Sequence, residues 1–191
     1  SFTVTEKGYL RRPDGSLDLP EAAGSRGLYR FVAAGIAARK AAGLPGLTLL
    51  SCDNLAGNGA VLRGLMRDYL ATYHPDLSAW FDSECRCPAT MIDRIVPATT
   101  EADRADVEAV LGARDEGAVV TEGFSQWVIE DDFAGPRPRW EQVGAELVAD
   151  VAPYETAKLR MLNGAHSALA YIGLGAGHAF VHQAIADPAI R

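Results

Sequence analysis

The sequence predicts an α/β chain that passes into an all-helical segment near Asp150. Three observations carry that expectation. Through the first part of the chain, apolar runs of strand length alternate with longer stretches of helical period, in a βαβα rhythm. From Pro153 onward the period is helical throughout, so the chain divides into residues 1–149, which complete an α/β sheet, and 150–191, which begin a helical domain. A length of 191 residues with 48% hydrophobic content allows one substantial core, in one domain or one and a part.

The elements follow in order. Residues 2–5 read as a strand and 28–42 as an amphipathic helix, with Pro13-Asp-Gly-Ser16 as a turn in the connection between them. Gly43-Leu-Pro-Gly46 ends that helix. Residues 47–52 form a short apolar run and read as a buried strand, and 58–73 read as a helix opened by Asn58-Gly59. Residues 85–97, 118–121 and 127–129 offer short extended pieces, 101–113 has helical period, and Ala134-Gly-Pro-Arg-Pro138 is an exposed loop. In the last part Pro153 suits a first helical turn and Asp150 is a candidate cap, while Ala157, Leu159, Met161, Leu162, Ala165, Ala168 and Leu169 favour continuation. Gly173-Leu-Gly175-Ala-Gly177-His178 follows a predicted helix rather than a strand, and His178 stands where the last glycine of a dinucleotide-binding turn belongs. It therefore reads as a helix junction.

Composition narrows the class of partner. The formal charge of −7 argues against nucleic acid or an anionic membrane, and no basic tract reverses that. No apolar run approaches the roughly 20 residues of a membrane span, and Ser-Phe-Thr-Val-Thr is not a signal peptide. Cys52, Cys85 and Cys87 are odd in number, and Cys85-Arg-Cys87 lacks the spacing of a redox or zinc motif, so reduced cytoplasmic thiols are expected. His178 and His182 stand four apart without the adjacent glutamate of a zinc helix, and no metal site is expected.

The candidate chemistry lies in Lys158-Leu-Arg-Met-Leu-Asn163-Gly-Ala-His166. On an α-helix at about 100° per residue, Lys158, His166 and Asn163 fall at roughly 0°, 80° and 140°, near one side. A lysine that is partly withdrawn from water serves as a proton acceptor or donor; a solvated helix face is the alternative reading. Glu155, three residues before Lys158, lies within reach of it on a helix, where an ordinary exposed ion pair is one reading. Asp53 and Asn54 follow the strand at 47–52, at the carboxyl end where ligands of open α/β sheets gather, and a turn or cap is the alternative for Asn54.

Ser51-Cys-Asp-Asn54-Leu-Ala-Gly-Asn58-Gly59, Ala89-Thr-Met-Ile-Asp93-Arg94-Ile-Val-Pro97, Gln126-Trp-Val-Ile-Glu-Asp131 and the Lys158 segment, in this order, resemble the mannitol dehydrogenase and fructuronate reductase family. These are long-chain, zinc-independent polyol and hexuronate dehydrogenases, and the resemblance covers essentially the whole chain. It implies the later part of a Rossmann-like, doubly wound sheet domain followed by the start of the helical carboxy-terminal domain. It also implies that a preceding cofactor-cradling half lies outside this sequence.

The same resemblance implies an NAD-dependent transfer of hydride between nicotinamide and a secondary alcohol or ketone. Lys158 would be the general base, and Asn54 and Asn163 would donate hydrogen bonds to the reacting oxygen. His166, Asp93 and Arg94 would bind the substrate, and Glu155 would relay protons. The form Cys-Pro-Ala-Thr-Met-Ile-Asp-Arg-Ile-Val-Pro is closer to the fructuronate reductase side, with fructose and mannitol the alternative pair. Arg94 is a candidate for a substrate carboxylate, which a guanidinium holds in bidentate fashion. Gly123 stands where many relatives have proline. The partner is thus a small sugar, polyol or sugar acid. A truncated, non-catalytic sugar-binding or structural fragment is the reading from another class. NAD versus NADP and the oligomeric state are not encoded in these residues.

Overall fold

A computed structural model describes residues 2, 4, 6–24 and 27–190 of the chain. A short helix, α1 (Leu19–Gly24), precedes α2 (Leu28–Ala41), α3 (Asn58–Tyr73) and α4 (Pro75–Glu84). Helix α3 buries Leu62, Leu65, Met66, Tyr69 and Leu70 along one stripe at helical spacing. That stripe joins Tyr29 and Ile36 of α2 and Leu77 and Phe81 of α4 in the main core. Helix α4 lies in a stretch whose sequence suggests no element. It shows only two buried apolar positions, four residues apart, too few to display a period, and Pro75 in its first turn starts it.

Gly59, in the first turn of α3, sets how closely that helix meets the chain entering the sheet. A β-carbon there would overlap the Cys87 carbonyl oxygen, the Pro88 carbonyl carbon and the Ala89 nitrogen. Gly59→Ala is expected to destabilise the fold by about 1–3 kcal/mol, since backbone must move to admit the methyl group. Urea denaturation measures this, and an unchanged midpoint would show that the close approach does not hold α3 in place.

The sheet has three strands in the order β1 (Thr90–Asp93), β2 (Gln126–Glu130) and β3 (Glu146–Val148). β1 and β2 are antiparallel, with Met91 opposite Val128, and β2 and β3 are parallel, with Ile129 opposite Leu147. The extended pieces expected at 85–97 and 127–129 thus contract to four residues and grow to five. Residues 118–121 form no strand. Instead Thr121 and Glu122 bond the Ile95 carbonyl through a hydroxyl and a backbone N–H, which ties two loops without making a ladder.

The run at 47–52 is buried from Leu49 to Ser51, and among the described residues it is paired through single parallel bridges, Thr48 with Arg86 and Phe2 with Ser51. Its hydrogen bonds among the described residues alternate between two neighbours, Phe2 on one side and Arg86 on the other. Of the strand expected at 2–5, Phe2 makes that bridge, and Thr3 and Thr5 lie outside the described residues. Helix α5 (Glu101–Leu111) replaces the expected 101–113. Thr100 and Asp103 cap it reciprocally, and Gly112 ends it at a φ of 71°.

From residue 152 the chain is helical, as its period predicts, but not uniformly α. α6 (Ala152–Ala157) runs into a π-helical turn, Lys158–Asn163, and continues as α7 (Gly164–Gly175) and, after a turn at Gly177, α8 (Val181–Ala186). The glycine-rich stretch is therefore a helix junction. Asp150 accepts the Ala152 N–H at 2.9 Å at the start of this segment. Val151 is buried against Met91 and Val128, so the sheet face anchors the helix entry.

Candidate active site

Three segments close on a cleft of about 270 Å³. One is the loop after residues 47–52, one is the carboxyl end of β1, and the third is the helix that Val151 pins to the sheet. Asn54, Asp93, Arg94, Glu155, Lys158 and Asn163 all line it. His166 is exposed on α7 and does not form part of this wall. It lies eight residues beyond Lys158, about two turns farther along the helix.

The π turn alters the helical-wheel expectation. With bonds from residue i to i+5 rather than i+4, each residue rotates less, and residues five apart come closer to alignment than the roughly 140° of an α-helix. Lys158 and Asn163 are five apart and bracket this turn, and both reach the cleft. Single π turns recur at functional sites.

Lys158 is the centre of the arrangement. Its side chain is only 15% exposed, and Nζ donates to Asn54 Oδ1 at 2.8 Å and to the Ile92 carbonyl oxygen. Asp93 Oδ1 stands 3.6 Å from the same nitrogen and is itself 10% exposed. The bond from Lys158 orients the Asn54 amide, because engaging Oδ1 leaves the NH₂ group to donate elsewhere. Glu155 does not pair with Lys158. Its Oε1 accepts the Gly57 N–H at 2.9 Å and so links α6 to the Asn54 loop. Arg94 donates twice to the Glu122 carbonyl, at 3.0 and 3.2 Å.

Asn54 is not the cap of α3. That position belongs to Gly57, at a φ of 61° and without a side-chain bond. The turn is instead held by Asp53, whose carboxylate accepts from Tyr9, Ser51, Leu55 and Asn58. Burial, and next the bond to Asp53, push the Tyr9 hydroxyl well above its ordinary range, so it stays a donor at neutral pH. Sequence reasoning did not assign a role to Tyr9 or to the Ile92 carbonyl. The former is distant in sequence from its partners, and the latter is a backbone atom that no residue type announces.

The cysteines are free, and burial pushes the Cys87 thiol up to about 12, which leaves it protonated and unreactive near neutral pH. Among the described residues no group of three or more His, Cys, Asp or Glu side chains is placed to hold a metal ion. His178 pairs with Asp187 at 3.0 Å, and His182 stacks on Phe180. Among the described residues no helix is long and apolar enough to cross a membrane.

An amine held between an amide and a backbone carbonyl, in a cleft that a second amide also lines, is an arrangement that can hold or pass on a proton. The chain belongs to the mannitol dehydrogenase family: residues 1–142 match the mannitol dehydrogenase Rossmann domain and residues 150–191 the mannitol dehydrogenase C-terminal domain. It is 48% identical to D-arabinitol 4-dehydrogenase of Ralstonia nicotianae, over 100% of this chain and 43% of the relative. It is 39% identical to D-mannonate oxidoreductase of Escherichia coli, over 100% of this chain and 41% of the relative. The ternary complex of Pseudomonas fluorescens mannitol 2-dehydrogenase with NAD and D-mannitol superposes with a TM-score of 0.74 at 40% identity, over 91% of this chain and 35% of that one. The chain thus spans about 41% of the length of curated relatives such as the mannonate enzyme.

Proposed function

We propose that the full-length protein is a cytoplasmic NAD-dependent oxidoreductase that interconverts a secondary alcohol and a ketone on an open-chain hexose derivative, with fructuronate and mannonate as the preferred pair. Residues 1–149 would belong to its dinucleotide-binding domain and 150–191 to its helical catalytic domain. The observation that carries the reading is the position of Lys158 Nζ, bonded to Asn54 Oδ1 at 2.8 Å inside a cleft that Asn163 and Asp93 also line.

Two donor positions of that nitrogen go to Asn54 and to the Ile92 carbonyl. The third is left for a substrate oxygen. In reduction it delivers a proton to the ketone oxygen, and in oxidation the amine accepts the hydroxyl proton. The free NH₂ of Asn54 and the amide of Asn163 donate to the same oxygen as charge develops on it. Asp93 balances the charge beside Nζ, and Glu155 exchanges the proton with solvent through the carboxylate oxygen not engaged by Gly57, while His166, outside the cleft wall, is left without a part in this step.

Fit to the cofactor is divided. The cleft residues suit the end where the substrate reacts. The only glycine-rich candidate for a pyrophosphate cradle lies between α7 and α8, and follows a helix instead of a strand. NAD, when bound, supplies the hydride acceptor, and NADH the donor.

Arg94 at the cleft supports a uronate, whose carboxylate a guanidinium holds well. A polyol reading is favoured by a different observation: part of the Arg94 guanidinium is already committed to the Glu122 carbonyl, and the relative named for arabinitol is the more similar at 48%. The test is NADH oxidation by the full-length protein with fructuronate and fructose side by side. Faster turnover of fructuronate is expected. Preference for fructose would select the polyol reading, and silence with both ketones from a folded protein would overturn the proposal.

A further inference from the structure

Asn54 sits in an exposed loop, yet its amide must be aimed to within a fraction of an ångström for the chemistry proposed above. The neighbouring carboxylate supplies that aim. Asp53 Oδ1 accepts the Leu55 N–H at 2.9 Å, a bond that spans Asn54 and closes a small ring around its backbone. The same oxygen lies 3.3 Å from Asn58 Nδ2. Oδ2 accepts the Tyr9 hydroxyl at 2.6 Å and the Ser51 hydroxyl at 2.5 Å. Four donors thus converge on one side chain, and only an ionised carboxylate offers acceptors alone to all of them.

The anchors of this cluster are rigid. Tyr9 is fully buried, and its own carbonyl is held by the Tyr29 hydroxyl of α2 at 2.7 Å. Asn58 is also buried and bonds Thr90 in both directions, giving Nδ2 to its carbonyl at 3.1 Å and taking its N–H at 2.9 Å. Thr90 in turn donates to the Ser51 carbonyl at 2.5 Å. The network therefore locks the Asn54 loop to β1. Those two segments supply the two oxygens that receive Lys158, Asn54 Oδ1 and the Ile92 carbonyl, the latter two residues along from Thr90.

We infer that Asp53 is a positioning residue: its carboxylate, braced by Tyr9, Ser51 and Asn58, fixes the backbone at Asn54 so that the amide meets Lys158 and keeps its NH₂ for the substrate oxygen. This rests on the oxidoreductase reading. Asp53 itself need not touch substrate, and it acts through Asn54.

The experiment is a double-mutant cycle in the full-length protein, with Asp53→Asn, Asn54→Ala and the pair, followed by kcat and KM for the preferred ketone and by thermal midpoint. An amide at 53 has one acceptor oxygen where two were used, so at least one donor loses its partner. Asp53→Asn is expected to lower kcat about tenfold with KM little changed, and to add nothing further once Asn54 is alanine. Tyr9→Phe removes one brace. It should show the same pattern at smaller size, and it carries the test if Asp53→Asn does not fold. Losses that multiply in the double variant, or wild-type kcat with only a lowered midpoint, would overturn the positioning role. If Asn54→Ala alone keeps wild-type kcat, the reading of Asn54 fails first and this inference falls with it; if Asn54→Ala is impaired and Asp53→Asn is not, only the inference falls.

Discussion

Lys158→Ala in the full-length protein is expected to lower kcat by about 10³-fold in both directions, the middle of the range for losing a positioned acid or base. The proton then loses the one group placed at the reacting oxygen, since Glu155 passes protons between that amine and solvent. Asp93 is 3.6 Å from Nζ but belongs on the carboxylate side of that pair, and the Asn54 amide does not ionise. Stability should change little. Alanine is the strongest helix former, the cleft is open to water that can bond Ile92 and Asp93 in place of the amine, and the helix is held to the sheet by Val151 rather than by Lys158. Small primary amines in the buffer should restore part of the rate, which a merely structural lysine would not permit. Near wild-type turnover of Lys158→Ala across the pH range would sink the assignment.

Asn54→Ala comes next, with kcat lowered by about 10²-fold, the cost of one preorganised donor to a developing oxyanion. The expected loss falls on kcat more than on KM, since the donor matters most once charge has formed. Two consequences combine in this variant. The reacting oxygen loses an NH₂ group, and Lys158 loses the acceptor that orients it at 2.8 Å. The alternative, a turn or helix cap, predicts a loss of thermal midpoint with kcat intact. The α3 cap is Gly57, so the cap role falls away, while Asn54 lies inside the turn closed by Asp53 and Leu55. A shift confined to stability would return Asn54 to the structural role.

Helix α3 shows what was plainly legible in the chain. Its apolar positions repeat with helical period, Asn58-Gly59 opens it, and the observed bounds, Asn58–Tyr73, coincide with the expected 58–73. Periodicity works there because one face of a long helix is buried and the rest is wet. Short elements escape the same reasoning. β3 has three residues, too few for alternation to register, and the run at 47–52 is extended and buried but finds a different partner on each side. Of the residues singled out in the sequence, Asn54, Asp93, Arg94, Glu155, Lys158 and Asn163 share one cleft and His166 does not line it. Their mutual bonds were not. Glu155 was expected to meet Lys158 along the helix, and it reaches across to Gly57 instead.

By itself the sequence determined the α/β class, the helical run from residue 152, the family motifs and the identity of the polar groups, because these follow from side-chain chemistry and local period. Only the tertiary structure decided that residues 158–163 wind as a π turn, that the Ile92 carbonyl receives Lys158, and that Asp53 gathers Tyr9, Ser51, Leu55 and Asn58 beneath Asn54. The reason is physical. A backbone hydrogen-bond shift of one residue and a bond between groups 44 positions apart, as from Tyr9 to Asp53, depend on where packed elements place atoms in space, and no local spacing carries that information.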